Sequence, residues 1–299
     1  MIAIILVNWK NYDDTKDCLH SLYQSIHTSF SIIVVDNESQ EIPIAKLKRS
    51  FPQITVLPQK TNLGFTGANN IGIKHGLTLG AEYIMLLNND TTVPKNFIDP
   101  LLITLHSSPQ IAAVQPKIMF HEYPDKIWNA GGIYYPLNAS TTTIGYNKLD
   151  AEKYNKSRHV DWITGCCILI KAKIITEVGL LNDQFFAYYE DVDWSLRIRK
   201  LGYHLAYDPS IPIYHKVSAS SKNKNKTAEG FLSPFVHFLN MRNQIFLARL
   251  HAKGFHAINT HTFLLLKILC FSVYFLVRGR KEKLKISWKG FLEGYSTQL

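Results

Sequence analysis

The apolar positions of the first 215 residues gather into short uncharged runs separated by stretches of helical periodicity. Residues 2–7, 32–35, 54–57 and 83–87 read as four strands, and the last, bounded by polar residues, reads as one buried on both faces. Behind the first, Leu19, Leu22, Tyr23 and Ile26 recur at helical spacing after an acidic start at Asp13 and Asp14. A short helical piece follows the second, and a helix runs from the 62–72 stretch to about Leu79. Further on, the pattern predicts strands over 109–114, 161–170 and 203–207, with loops and short strands over 117–147. It predicts helices over 171–178 and from about Glu190 to Gly202, a turn at Asp208-Pro209 and a last strand over 211–215. This strand, helix, strand rhythm predicts an α/β fold with right-handed crossovers and a mainly parallel, Rossmann-like sheet flanked by helices.

In such a sheet, ligands bind beyond the carboxyl ends of the strands. Four ends converge there: Asn8 with Trp9, Asp36, the 62–70 stretch, and Asn88-Asn89-Asp90. A nicotinamide dehydrogenase would need a G-x-G-x-x-G turn after the first strand, and that turn is Asn8-Trp9-Lys10-Asn11-Tyr12, without glycine. No P-loop is present either. What remains is a sheet that holds a nucleotide through side-chain amides and carboxylates, with a cation on the diphosphate.

Composition changes the picture at the C-terminus. The 299 residues carry a formal net charge of +10, yet residues 1–215 sum to −1 and residues 216–299 to +11. A near-neutral catalytic domain over 1–215 and a basic helical extension over 216–299 are therefore expected, the latter facing an anionic partner. Four scattered cysteines, with no disulfide framework or C-x-x-C pair, point to a reducing compartment.

Two constellations carry candidate chemistry. Asp90 can hold a divalent cation against a phosphate, although Asn88, Asn89 and Asp90 would equally serve as an Asx-rich turn ahead of Pro94. His215 ends the last strand of the neutral domain, where a neutral imidazole could complete that cation site. Beyond it, residues 218–226 have the composition of a mobile segment. Glu190, Asp191 and Asp193 open a helix, where carboxylates complement the dipole by about 0.3–1 kcal/mol each. Phe185, Phe186, Tyr188 and Tyr189 directly before them suggest a wall behind which a desolvated carboxylate acts as general base.

Asn8-Trp9, the 35–39 run Val-Asp-Asn-Glu-Ser, Asn62-Leu63-Gly64-Phe65 through Asn69, the 87–91 run Leu-Asn-Asn-Asp-Thr, the 186–193 run Phe-Ala-Tyr-Tyr-Glu-Asp-Val-Asp, and His215 come in a telling order. Together they resemble glycosyltransferase family 2, in particular its bacterial rhamnosyltransferase-like branch, over roughly residues 2–250. The resemblance implies a GT-A type fold, a nucleotide diphosphate sugar donor, Mg2+ or Mn2+, and inversion at the anomeric carbon. It implies that Asn8, Asp36, Asn62, Gly64, Asn69 and Asn89 line the nucleotide site, with Asp36 on the base. Asp90 and His215 would hold the metal. Asp191 would be the catalytic base with Glu190 beside it, and Gly131, Gly132, Trp162, Gly165 and Asp193 would border sugar and acceptor. Two positions depart from the family: Asn88 replaces the first Asp of D-x-D, and Ala68 replaces a common glycine.

The expected activity is metal-dependent transfer of a sugar, rhamnose by analogy with the branch, to a saccharide or lipid-linked saccharide acceptor in cell-surface polysaccharide synthesis. The alternative is a weakly active or non-catalytic nucleotide-sugar or saccharide-binding protein. In the tail, the apolar residues 263–277 would make a helix of about 22 Å, short of the roughly 30 Å hydrocarbon core. Such a helix is expected to lie in the interface of an anionic membrane, with Arg278, Arg280, Lys281, Lys283 and Lys285 on the headgroups. Packing on the neighbouring domain or on another subunit is the competing reading. Nucleic acid is not an expected partner, because basic and aromatic residues do not interleave. The expected location is cytoplasmic, on the inner face of the cell membrane, with oligomer formation left open.

Overall fold

A computed structural model of the chain describes residues 1–25, 29–217, 222–227 and 229–299. In chain order its regular elements begin with β1 (Ile2–Asn8), α1 (Tyr12–Gln24), β2 (Phe30–Asp36), α2 (Glu41–Ser50), β3 (Thr55–Pro58), α3 (Gly64–Thr78), β4 (Tyr83–Asn88), β5 (Thr91–Thr92) and α4 (Ile98–His106). They continue with β6 (Ile111–Phe120), β7 (Lys126–Asn129), β8 (Gly132–Tyr135), β9 (Ser140–Thr143), β10 (Lys148–Leu149), β11 (Arg158–Val160), β12 (Cys167–Lys171), α5 (Ala172–Val178), α6 (Glu190–Lys200) and β13 (His204–His215). β14 (Lys222–Thr227), β15 (Gly230–Leu232), α7 (Pro234–His251), α8 (Gly254–Val277) and α9 (Lys281–Ser296) complete the chain. The chain folds into two compact units: one of Met1–Ile133, Thr143–Phe186 and Glu190–Val217, the other of Tyr134–Thr142, Ala187–Tyr189 and Ser218–Leu299.

The first unit is built on one sheet whose main path runs β10-β7-β6-β12-β4-β1-β2-β3. Strands β3, β2, β1 and β4 are parallel, β12 is antiparallel to β4 and β6, and β13 lies parallel to β6. The alternation of side chains along a strand explains why uncharged runs are needed here. Ile2, Ile4, Leu6, Ile32, Val34, Met85 and Leu87 enter one core with Leu19 of α1 and Leu101 of α4. Ala3, Ile5, Ile33, Val35, Ile84 and Leu86 enter the other with Ile73 of α3, Ile174 of α5 and Trp194 of α6. Helices thus cover both faces, and the fully polar residues are driven to the strand ends.

Several boundaries differ from expectation. The strand expected over 161–170 is confined to Cys167–Lys171, because the preceding N–H groups go to side chains instead of a ladder. Ile163 N–H donates to Ser195 Oγ, Thr164 N–H to Gln115 Oε1, Gly165 N–H to Asp191 Oδ2 and Cys166 N–H to Thr164 Oγ1. Asp208-Pro209 is not a turn between two strands but an irregularity within β13, where register shifts between Asp208 and Ile213. Buried Asp208 accepts from Thr104 Oγ1 and Ser210 N–H there. β6 runs to Phe120, past the expected end at Val114, since Lys117 within it is buried against Asp150 at 2.8 Å. Ile26 of the expected first helix lies outside the described residues, as do residues 218–221 of the segment read as mobile; residues 222–227 form β14, paired with β15.

In the second unit, Met241, Ile245 and Ala248 of α7 pack with Leu264 and Ile268 of α8 and with Ala139, and Trp288 and Phe291 of α9 join them. Ser233 caps α7 ahead of Pro234, a residue suited to the first helical position. The apolar helix is longer than residues 263–277: α8 starts at Gly254 and has 24 residues, about 36 Å.

Candidate active site

At the ends of β1 and β2, Asn8 and Asp36 are register partners and both are buried. A carboxylate taken out of water must be compensated by donors. Asp36 Oδ1 accepts from Asn8 Nδ2 at 2.6 Å, and Oδ2 accepts from Tyr12 OH at 3.0 Å and from Ser39 Oγ. Asp36 thus ties Asn8 of β1 to Tyr12 of α1 and to Ser39. Burial, with the neighbouring Asp36, pushes the Tyr12 phenol up to about 12. Asn8 Oδ1 in turn accepts from Thr15 Oγ1 at 2.9 Å, and Asn89 Nδ2 donates to the same hydroxyl at 2.8 Å. Asn8, Asp36 and Asn89 are therefore one network.

The remaining nucleotide-site candidates sit at the start of α3. Asn62 Oδ1 accepts from Asn37 Nδ2 at 2.9 Å and from Gly64 N–H at 2.8 Å, while Asn37 Oδ1 accepts from Leu63 N–H. Gly64 has φ +73°, and a Cβ there would stand 2.4 Å from the Phe186 carbonyl oxygen, so only glycine fits. Asn69 bonds the Phe65 carbonyl within its own helix and is buried. Its neighbour Asn70 makes the long-range bonds, donating to Leu181 O and Asp183 Oδ1 and accepting from Leu181 N–H.

Past β4, the chain turns so that β5 pairs with the end of β13, setting Thr91 opposite His215. His215 Nε2 lies 3.0 Å from Asp90 Oδ1 and 3.4 Å from Asn88 Nδ2. The ring meets Trp128 edge-on at 4.4 Å, and its buried Nδ1 makes no hydrogen bond among the described residues. At 3.0 Å the imidazole and the carboxylate face each other directly, and together they would offer a divalent cation one nitrogen and a carboxylate oxygen. Among the described residues no group of three His, Cys, Asp or Glu could hold a metal. A cation held by Asp90 and His215 would draw its other ligands from a diphosphate and water, as Mg2+ commonly does.

Asp191 stands at the start of α6. Its Oδ2 accepts from Gly165 N–H at 2.9 Å and its Oδ1 from Val192 N–H at 2.8 Å. Buried Glu190 beside it leaves Oε2 without a hydrogen bond among the described residues. Burial first, then the Asp191 charge, raises Glu190 well above the usual carboxylate range. Burial also raises Asp191, opposed by the Gly165 and Val192 N–H groups. Burial therefore acts on both carboxyls, and only at Asp191 do the Gly165 and Val192 N–H groups oppose it. The segment leading in is strained: Phe186, Tyr188 and Tyr189 have φ of 61°, 69° and 70°. Such conformations cost on the order of 1–3 kcal/mol each and persist only when their surroundings hold them.

Asp191 and Asn88, at the end of β4, are linked through two consecutive residues. Gly165 N–H bonds Asp191, and the carbonyl of Cys166 accepts the N–H of Asn88 at 2.8 Å. Burial, then the charges of Asp90 and Asp191, push the Cys166 thiol up. Both carboxylates act on that one side chain.

The expected sugar and acceptor residues divide. Gly131 and Gly132 pack under Val160 and Trp162; a Cβ on Gly132 would lie 1.9 Å from the indole. Trp162 is buried, and its Nε1 donates to Ile133 O. Asp193 is buried, and its Oδ2 accepts from Arg197 Nε at 2.8 Å while that guanidinium also clamps the Val178 and Leu180 carbonyls. Sequence reasoning missed Gln115, which bonds Asn129 and Thr164 N–H while Asn129 bonds Gly131 N–H. A polar residue directly after the apolar run 111–114 is the available signal.

A sheet of this topology, with carboxylates and amides gathered beyond its strand ends, defines a GT-A type glycosyltransferase. The chain belongs to the family described as glycosyltransferase like family 2, which it matches over residues 1–228. It is 29% identical over 257 residues to a low-salt glycan biosynthesis hexosyltransferase of Haloferax volcanii, covering 83% of this chain and 75% of that protein. An N-acetylglucosaminyl-diphospho-decaprenol L-rhamnosyltransferase of Mycobacterium tuberculosis is 26% identical over 243 residues, 74% of this chain and 78% of its own. Among solved structures, GalNAc-T7 with UDP, GalNAc and Mn2+ superposes with TM-score 0.58 at 15% identity, over 72% of this chain and 43% of that one. A mannosyltransferase from Pyrobaculum calidifontis with GDP-Man and Mn2+ gives 0.55 at 12% identity, over 100% and 76%. These two likenesses concern the fold.

Proposed function

We propose that this glycosyltransferase inverts the anomeric centre of a nucleotide diphosphate sugar, rhamnose foremost, and passes it to a saccharide or lipid-linked saccharide. The observation that carries the reading is the Gly165-Cys166 dipeptide, which ties the acid proposed as base to the strand end bearing Asp90. Asp191 takes the proton of the acceptor hydroxyl as that oxygen attacks the anomeric carbon opposite the departing diphosphate. Glu190 lies buried beside Asp191, its Oε2 without a hydrogen bond among the described residues. Asp90 and His215 would hold a divalent cation, which when bound supplies positive charge to the leaving diphosphate. Asn8, Asn62, Gly64 and Asn89 shape the nucleotide side. The rhamnosyltransferase relative favours rhamnose as the sugar and a lipid-linked acceptor.

Calorimetric titration with dTDP-rhamnose, UDP-glucose and GDP-mannose tests the reading. One donor is expected to bind, tighter with Mn2+ than without, and NMR of its transfer product should show the opposite anomer. Binding of none of the three in Mn2+ would remove the proposal.

For location, we propose the cytoplasmic face of an anionic membrane, with residues 216–299 as the membrane-associating part. By length and composition α8 could cross a bilayer. However, Lys267 near its middle bonds Gln244 Oε1 of α7, and Trp288 of α9 bonds Ser272. A helix so tied along its length favours lying on the surface, with Leu266, Leu269, Val273 and Leu276 exposed. Flotation with phosphatidylglycerol vesicles is expected to carry the protein, and the double change Leu266→Glu with Val273→Glu should reduce the bound fraction several-fold. Equal flotation with neutral phosphatidylcholine vesicles would refute an electrostatic contribution.

A further inference from the structure

The strained tripeptide Ala187–Tyr189 packs as part of the second unit, although the chain runs directly from it into Glu190 and Asp191. Two of its peptide carbonyls are bonded by the side chain of Asn243. Asn243 of α7, fully buried, donates through Nδ2 to Ala187 O at 2.7 Å and to Tyr188 O at 2.8 Å. The amide is itself oriented, since its Oδ1 accepts from Arg242 Nε at 3.0 Å. Arg242 is fixed in turn by Glu293 of α9 at 3.2 Å. A side-chain amide suits such a position, because it presents two N–H groups to two successive carbonyls and still offers an oxygen for its own alignment.

We infer that Asn243 is a positioning residue for Asp191: by pinning the Ala187 and Tyr188 carbonyls it holds three positive-φ residues in place and thereby sets where the following carboxylate points. The inference rests on the proposed role of Asp191 as base. Arg242 and Glu293 serve as its support. Polar residues Arg242 and Asn243 inside the apolar α7 pattern acquire a reason they lack as a plain amphipathic helix.

The test uses the full chain with three variants, Asn243→Ala, Arg242→Gln and Asp191→Asn. Hydrogen exchange reports on the Gly165 amide, whose bond to Asp191 Oδ2 reads the carboxylate position directly. For Asn243→Ala, exchange at Gly165 should accelerate at least tenfold while amides of β1 keep their protection. Release of dTDP from dTDP-rhamnose, with water as acceptor and Mn2+ present, should slow by one to two orders of magnitude in kcat, with KM for the donor within twofold. Arg242→Gln should show the same split at a few-fold size, and it decides the matter if Asn243→Ala fails to fold. Wild-type Gly165 exchange and kcat in the readable variant would overturn the inference, as would equal loss of protection in β1, which marks a stabilising role alone. Asp191→Asn separates the two readings. Wild-type turnover there refutes the base and leaves the exchange result to stand by itself; lost turnover there beside normal turnover in Asn243→Ala refutes only the positioning.

Discussion

Asp191→Asn keeps its affinity for donor and loses turnover by about 10² to 10⁴-fold, the usual contribution of a positioned general base. The amide preserves size and can still accept from Gly165 N–H, so the start of α6 stays in place while the proton acceptor is gone. Donor contacts proposed at Asn8, Asn62 and Asn89 are untouched, and calorimetric affinity should stay within a few-fold. The wild-type pH profile adds a second reading. Burial raises both Asp191 and Glu190, and a base works only when deprotonated. The rate should therefore rise with pH through a limb lying above the ordinary Asp value of about 3.9, and fall away on the acid side. A limb at or below that value would dismiss both, whereas wild-type turnover in Asp191→Asn would dismiss Asp191 and make Glu190 the next candidate. Asp193, given over to Arg197, would not be.

Chelation should have an effect of similar size. Treatment with EDTA is expected to lower transfer by about 10²-fold or more, corresponding to the several kcal/mol of charge stabilisation a cation supplies, and Mn2+ should restore it. Asp90→Asn removes the only carboxylate at the 88–90 turn, because Asn88 stands where a second could have been. That variant should require far higher Mn2+ for half-maximal rate, and titration with Mn2+ and dTDP should show the weakened binding apart from any turnover. His215→Gln should behave alike but less severely. Undiminished transfer in EDTA would refute cation dependence and return Asp90 and His215 to a plain structural pair.

The parallel half of the sheet can be read from the chain because uncharged runs alternate with amphipathic stretches, and two buried faces demand that pattern. Ile2, Ile4 and Leu6 facing one core and Ala3 and Ile5 the other are the physical content of the apolar run. The segment 163–165 misleads for the converse reason: its composition suits a strand, yet its N–H groups are claimed by Ser195, Gln115 and Asp191, partners 26 to 49 residues away. No local pattern records such long-range claims. The same holds at the site. Asp90, Asp191 and His215 are visible as chemical types, but the occupation of Asp36 by Asn8, Tyr12 and Ser39 depends on register between β1 and β2. Asn70 and Asn243 look like ordinary helix residues, and only packing reveals the carbonyls they bond.

The insertion of Ala187–Tyr189 into a unit otherwise made of Tyr134–Thr142 and Ser218–Leu299 bears on how this enzyme could be recombined with its relatives. A chimera that exchanges the C-terminal helices alone would pair a foreign α7 with the native tripeptide, severing the matched amide and carbonyls. Grafting all three segments together preserves that match, so the transplantable cassette is discontinuous in the gene although it is continuous in space.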